Sequence, residues 1–195
     1  GYPSRSHPVE VLAEMAIDPA VSECIPEARI HFVTHSLGGI LVRHYLTTRA
    51  LDRLGRIVML APPNQGSEVV DRWRDVPGFS WLNGPAGDQL GTDEDSVPRK
   101  LGPVGYPVGV IAGNKSINLV LSRSLPGADD GKVTVRSTRV EGMRDFIVVP
   151  HSHPFIMRAP VVMDEVVHFL RHERFSDRER RMTDAVFDED QRAMQ

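Results

Sequence analysis

The chain has little of several features that would define a function class at once. Cys24 is the only cysteine among 195 residues, which excludes an intrachain disulfide and a cysteine-based metal cluster. Lysine and arginine total 23 against 26 acidic residues, and the net charge of −3 gives no electrostatic basis for binding nucleic acid or an anionic membrane surface. The remaining composition, 41% hydrophobic and 25% charged, is that of an ordinary globular domain with a core.

Long hydrophobic runs are also missing from the sequence. No apolar run approaches the roughly 18 residues that a membrane-spanning helix needs, and none has the charged-then-apolar layout of a signal peptide. We expect no transmembrane segment, and the compartment is left open, with the cytoplasm favoured over export. The segment Gly1–Arg5 carries no initiator methionine and is typical of a loop leaving a strand. We therefore expect the domain to lack its first strands. The oligomeric state is not indicated.

What the sequence does contain is an alternation of strands and helices. Apolar runs predict strands near 29–34, 56–60, 107–112 and 145–149, and helical spacing predicts helices near 9–17, 37–51 and 161–172. This order is typical of an α/β protein with a mostly parallel sheet covered by helices. Residues 71–105 lose periodicity and are interpreted as a cap-like insertion or, alternatively, a surface excursion. Residues 1–172 are assigned to this domain and 173–195 to a charged, solvated C-terminal extension.

The most informative segment is Thr34–Gly39, which runs from a strand through one serine directly into a helix. Such a turn exposes a nucleophilic hydroxyl at the top of a sheet. The turn strains the backbone of Ser36 and favours small neighbours, which Gly38 and Gly39 supply. The backbone N–H of Leu37 begins the helix and can point at a developing negative charge. The segment makes ester hydrolysis the leading hypothesis.

Two later loops supply an acid and a base in the chain order that such a nucleophile requires. The loop after the third strand carries Asp129 and Asp130, and the loop after the fourth carries His151 and His153. Asp130 is favoured because a following glycine sets it at a tight turn, and Asp129 stays open as an alternative. His153 is favoured because the chain leaves the loop there for the closing helix, and His151 stays open as well.

A metal centre is not expected from the remaining histidines. His168 and His172 share a helical face at a spacing that suits a metal pair, but no third ligand is evident nearby. His35 lies beside the nucleophile and is interpreted as a residue that can line the pocket, with no role as a base.

These motifs resemble a known family. The segments His31–Gly39, Leu60–Ser67, Asp129–Val133 and His151–His153 are similar to the α/β-hydrolase superfamily in its lipase and esterase branch. The resemblance is greatest to bacterial α/β hydrolases related to triacylglycerol lipases and GPI inositol-deacylase-like proteins, and it covers about residues 29–172. It implies an α/β-hydrolase fold without a cofactor. The site residues that it implies are the nucleophile Ser36, the acid Asp130, the base His153 and an oxyanion donor at the N–H of Leu37.

The sequence departs from the family pattern at two points. The first position of the nucleophile turn, usually glycine, is Thr34; His35, Gly38 and Gly39 fill the other positions around the serine. The family also has a His-Gly segment upstream, whose backbone supplies a second oxyanion donor, and nothing before Ser36 offers one. We expect either that the first strands are missing or that the oxyanion hole is built differently.

The predicted function is a serine hydrolase that cleaves carboxylic esters of lipids or small molecules. One alternative is a catalytically impaired α/β-hydrolase fold that serves as a binding module. Another keeps the triad but acts as a thioesterase, amidase or acyltransferase. Apolar residues of the insertion are expected to shelter an acyl chain; they are Trp73, Phe79, Trp81 and Leu82.

Overall fold

A computed structural model of the chain contains one sheet of four parallel strands in the order β1-β2-β3-β4. The strands are β1 (Ile30–His35), β2 (Leu54–Leu60), β3 (Val108–Gly113) and β4 (Asp145–Val149). The helices are α1 (Val9–Ser22), α2 (Leu37–Thr48), α3 (Glu68–Trp73), α4 (Phe79–Asp88), α5 (Val97–Lys100), α6 (Pro160–His172) and α7 (Asp177–Ala193). The structure describes residues 2–74, 76, 79–116 and 127–193, with 79–83 and 186–193 described by their backbone alone. The predicted parallel α/β sheet is confirmed.

Two apolar cores lie on opposite faces of this sheet because successive strand residues point to opposite sides. Ile57 and Met59 of β2 join α1 and α2 on one face, whereas Val58 and Leu60 join α6 on the other. A strand covered on both faces needs apolar residues throughout, which explains the unbroken run in β2. Layers on both sides therefore hold the strand ends that carry the site.

Gly109 in β3 allows the second layer to approach the sheet closely. A Cβ at this position would lie 2.6 Å from the ring of Phe169 and 2.8 Å from that of Phe175. Both phenylalanines are fully buried, and their rings lie 5.0 Å apart. The second core thus extends past α6 into the C-terminal segment.

The C-terminal segment corrects the prediction of a solvated extension. Phe175 belongs to the second core, and α7 lies along β4, an outer strand of the sheet. The N–H of Val148 donates to Thr183 Oγ1 at 2.8 Å, and the N–H of Phe175 donates to the Asp145 carboxylate at 2.8 Å. The charged composition was misleading because it hides a few buried residues, Phe175, Glu179 and Thr183, that pack this segment against the sheet. The domain boundary at residue 172 stays a prediction.

Helix α1 also extends further than its spacing indicated. The predicted end at Asp18 and Pro19 is wrong, since the helix continues to Ser22. Pro19 lies in the last turn, where it removes one backbone hydrogen bond, and the Glu23 N–H still donates to the Pro19 carbonyl at 3.1 Å.

The insertion predicted at 71–105 contains the end of α3 followed by α4 and α5. Helix α4 is kinked at Gly84, whose φ of 70° suits glycine and whose backbone passes directly against Arg5. The side chains of Phe79, Trp81 and Leu82 lie outside the described residues, so the acyl-sheltering role stays a prediction. None of the helices in the described ranges is long and apolar enough to cross a membrane.

Candidate active site

Ser36 lies at the junction of β1 and α2 in a strained conformation. Its φ of 53° and ψ of −125° fall outside the regions that side-chain-bearing residues usually adopt. Two hydrogen bonds hold the turn: the Ser36 N–H donates to the Leu60 carbonyl at 2.9 Å, and the Gly39 N–H donates to the Ser36 carbonyl at 3.0 Å. The hydroxyl is therefore fixed at the carboxyl end of the sheet.

The small residues around this turn are not equally constrained. A Cβ at Gly39 would lie 3.1 Å from the Cβ of Pro62, which is tighter than ordinary contact. At Gly38 the nearest atom would be the Cβ of Thr34 at 3.5 Å, an ordinary contact. The Thr34 side chain lies beside both glycines, since its Oγ1 would be 3.5 Å from a Cβ at Gly39. The close approach that demands a small residue is at Gly39.

Ser36, His153 and Asp130 form a continuous chain of hydrogen bonds. His153 Nδ1 lies 2.7 Å from Asp130 Oδ2, and His153 Nε2 lies 2.9 Å from Ser36 Oγ. A carboxylate only accepts, so Nδ1–H donates to Asp130, which leaves Nε2 of the neutral ring to accept from the Ser36 hydroxyl. Asp130 is fully buried and His153 is 6% exposed, so the bond between them is shielded from water, whereas Ser36 Oγ lies at a half-buried position.

The structure separates the two neighbouring aspartates by their partners. Asp129 Oδ1 accepts the Gly131 N–H at 2.7 Å in a local turn. Asp130 Oδ1 accepts the N–H groups of Lys132 and Val133 at 3.0 and 2.9 Å, which leaves Oδ2 for His153. Asp130 is therefore the aspartate that meets the imidazole.

The two histidines of the next loop also differ. The His151 N–H donates to the Val149 carbonyl at 2.7 Å, and its own carbonyl lies against Gly113 in a contact that only glycine allows. The His153 N–H instead donates to the Asp130 carbonyl at 2.9 Å. A backbone hydrogen bond thus holds His153 next to Asp130, whereas His151 is bonded to the last residue of β4.

The loop that carries Asp130 is held by the segment after β2, a contact that the sequence did not reveal. Asn64 Nδ2 donates to the Thr138 carbonyl at 2.8 Å, and the Gln65 N–H donates to the Ser137 carbonyl at 2.8 Å. Ser67 Oγ donates to the Lys132 carbonyl at 3.0 Å. The sequence gives no signal for these contacts, because all three acceptors are backbone carbonyls, which every residue type carries.

Arg43 anchors that segment from within α2. It is 2% exposed, and its guanidinium donates to Asn64 Oδ1 at 3.1 Å and to the Asn64 carbonyl at 3.0 Å. It also donates to the Gly102 carbonyl at 2.6 Å and the Pro98 carbonyl at 3.3 Å. Burial lowers the pKa of Arg43 to about 10. In the sequence, the signal that could have indicated this buried arginine is its position within the apolar run of α2.

The predicted oxyanion donor lies at the start of α2, and the histidine pair lies in α6. Leu37 is the first residue of α2, where a backbone N–H has no acceptor within its own helix.

The rings of His168 and His172 lie 4.7 Å apart, and His168 Nδ1–H donates to the Arg174 carbonyl at 2.8 Å. Within the described ranges, no group of three or more histidine, cysteine or acidic side chains could hold a metal ion.

Comparisons with known proteins identify the fold. No protein-family model matches the chain, and no curated protein sequence matches it. Among solved structures, the mature form of the Bacillus licheniformis lipase BlEst2 superposes with a TM-score of 0.62 and 17% identity, over 87% of this chain and 76% of the lipase.

A second similar structure is phospholipase PlaB from Legionella pneumophila. It superposes with a TM-score of 0.67 and 20% identity, and its complex with thio-NAD gives 0.69 and 19%. These superpositions cover 98% and 100% of this chain but 54% of PlaB, so the chain spans about half the length of that protein. The four parallel strands and their covering helices have the α/β-hydrolase fold, as the motifs predicted.

Proposed function

We propose that this protein is a serine hydrolase that cleaves carboxylic esters through Ser36, His153 and Asp130. The observation that carries the proposal is the unbroken chain of hydrogen bonds, 2.9 Å from Ser36 Oγ to His153 Nε2 and 2.7 Å from His153 Nδ1 to Asp130 Oδ2. The α/β-hydrolase fold, whose similar structures include a lipase and a phospholipase, supports it.

In the acylation step, Ser36 Oγ attacks the carbonyl carbon of the ester while its proton passes to His153 Nε2. The resulting imidazolium is stabilised by the buried Asp130 carboxylate, which also holds the ring in the tautomer that can accept this proton. When the tetrahedral intermediate collapses, the ester C–O bond breaks and Nε2–H returns the proton to the leaving alcohol. Ser36 is then esterified by the acyl group.

In the deacylation step, a water molecule replaces the alcohol and loses its proton to His153 Nε2. Its oxygen attacks the acyl carbon, and when the second tetrahedral intermediate collapses, the bond from the acyl carbon to Ser36 Oγ breaks and His153 Nε2–H returns the proton to Oγ, which releases the carboxylic acid and restores the Ser36 hydroxyl. We assign the N–H of Leu37 as one donor to the oxyanion of both intermediates, because it begins α2. One such donor is worth about 100- to 1,000-fold in rate.

The proposed substrate class is a lipid or small ester rather than a peptide or a sugar. The names of the lipase and the phospholipase support an acyl substrate. The predicted cap contributes Trp73, a half-buried aromatic residue at the end of α3. Turnover of peptide substrates at the same rate as esters would contradict this assignment.

The experiment that tests the proposal is labelling of the purified chain with a fluorophosphonate, followed by intact mass and peptide mapping. We expect a single adduct on Ser36 in the wild type and none in Ser36→Ala. Ser22→Ala is the matched control, because Ser22 is an exposed serine at the end of α1, and it should label like the wild type. A folded wild-type protein without an adduct would contradict the proposal and favour a binding module.

Hydrolysis of p-nitrophenyl esters of increasing acyl length, beside thioester and amide analogues, would then define the bond and the acyl chain. We expect oxygen esters to be the best substrates. Faster cleavage of thioesters would assign the same three residues to a thioesterase.

A further inference from the structure

His35, the last residue of β1, contacts His153 in two ways that the proposed mechanism does not use. Its Nε2 lies 2.9 Å from the His153 carbonyl oxygen, and the two imidazole rings are 4.9 Å apart between centroids at an angle of 47°. Because a carbonyl only accepts, His35 Nε2 carries the hydrogen and donates. His35 is thus an Nε2–H donor to the backbone of His153.

Both backbone groups of His153 are therefore held by neighbours of the site. Its N–H donates to the Asp130 carbonyl at 2.9 Å, and its carbonyl accepts from His35 at 2.9 Å. The side chain is bonded at Nδ1 to Asp130 and at Nε2 to Ser36. His35 is the partner that links the His153 loop to the strand carrying the nucleophile, since His35 and Ser36 are adjacent in the chain.

We infer that His35 is a positioning residue, which fixes the His153 loop against the nucleophile strand by donating from Nε2 and by packing its ring against the His153 ring. This inference rests on the proposed function for its effect on rate, but the contact itself does not depend on activity. A displacement of the base by about 1 Å can cost on the order of 100-fold in rate, so a hydrogen bond that fixes the position of His153 affects the rate of the chemical step.

The surroundings of His35 favour its neutral form, although the hydrogen bond to the His153 carbonyl acts in the opposite direction. Burial and the neighbouring His153 lower the pKa of His35 to about 4. The other charged groups that act on it are Asp130, which favours the protonated ring, and Lys132, which opposes it. A protonated His35 would set a second positive charge beside the imidazolium that forms during acylation, and a neutral ring avoids that repulsion.

Two variants separate the hydrogen bond from simple space filling. His35→Gln keeps a side-chain N–H that can reach the carbonyl, whereas His35→Met keeps similar bulk without a donor. We expect His35→Met to slow the labelling of Ser36 by a fluorophosphonate about tenfold, consistent with loss of one orienting hydrogen bond, and His35→Gln to recover most of that rate. With p-nitrophenyl butyrate the loss should fall on kcat, with KM changed less than about twofold, because His35 acts through the base. Equal rates in His35→Met and the wild type, with both folded, would overturn the inference.

A second readout is independent of activity. In the wild type, imidazole ¹⁵N shifts should identify His35 as the neutral Nε2–H tautomer, and a low-field proton should report the bond from His153 Nδ1 to Asp130. We expect that proton to weaken or vanish in His35→Met and to persist in His35→Gln. An Nδ1–H tautomer for His35, or an unchanged low-field proton in His35→Met, would overturn the inference. If wild-type Ser36 fails to label while these signals behave as expected, the proposed function fails and the positioning contact stands.

Discussion

Polar side chains in two regions of the molecule have different kinds of partner. At the carboxyl end of the sheet, the Asp130 carboxylate meets the imidazole of His153. Along the outer strand β4, the Asp145 carboxylate and the Thr183 hydroxyl accept backbone N–H groups. An imidazole gains and loses a proton near neutral pH, and a backbone amide does not. The first region can move a proton, whereas the second can only hold structure.

The largest expected effect comes from removing the charge in the first region. Asp130→Asn should lower kcat for ester hydrolysis by about 10³- to 10⁴-fold, because the amide cannot hold the imidazole in its productive tautomer. Asp129→Asn is the matched control and should retain the rate within about threefold, since Asp129 bonds a backbone N–H in its own turn. Steady-state kinetics across pH, with circular dichroism to verify folding, measure both. Comparable losses in the two variants would mean that the acid assignment is wrong.

The next effect concerns stability at the support of the site. Arg43→Met should lower the free energy of unfolding by about 2–4 kcal/mol, because it leaves Asn64 Oδ1 and several buried carbonyls without their donor. Arg49→Met is the control at the end of the same helix, and loss of the exposed ion pair between Arg49 and Glu14 should change the free energy of unfolding much less. Urea denaturation gives both values. A similar small loss in both variants would contradict a supporting role for Arg43.

The features that could be predicted from the sequence are those that depend on residues close together in the chain. Strand runs such as Ile57–Leu60 are local patterns, and the turn around Ser36 joins a strand pattern to a helix pattern within a few residues. Turn chemistry pointed to Asp130 rather than Asp129, and Asp130 is the one within hydrogen-bonding distance of His153. These features depend on neighbours in the chain.

The features that the sequence did not reveal depend on distant backbone groups. Arg43 finds carbonyl oxygens at Asn64 and Gly102, and carbonyls carry no residue-specific signal. The segment after α6 is rich in charged residues, so its composition did not indicate that Phe175 and Thr183 are buried. Donors and acceptors paired over long separations become visible only when the sheet is assembled.

A smaller stability effect tests the second region directly. Thr183→Val keeps the shape of the side chain but removes the oxygen that accepts the Val148 N–H, and it should cost about 1–2 kcal/mol of unfolding free energy. Ester hydrolysis and Ser36 labelling should stay within about twofold, because this bond lies on the β4 edge and not in the triad. Thr47→Val, at an exposed position near the end of α2, should cost less than about 0.5 kcal/mol. A large loss of activity from Thr183→Val in folded protein would break the distinction between the two regions.

A pH dependence of stability is also expected from His35. A histidine in an unfolded chain titrates near about 6.5, whereas the pKa of folded His35 is lowered to about 4. Between those values the unfolded chain binds a proton that the folded chain does not, so the contribution of His35 to stability is complete above pH 6.5 and is lost as the pH falls toward 4. His35→Gln and His35→Met should both flatten the fall of Tm across this window, because both remove the titrating ring, although they differ in labelling rate. Identical slopes in the wild type and both variants would mean that folding does not lower the pKa of His35.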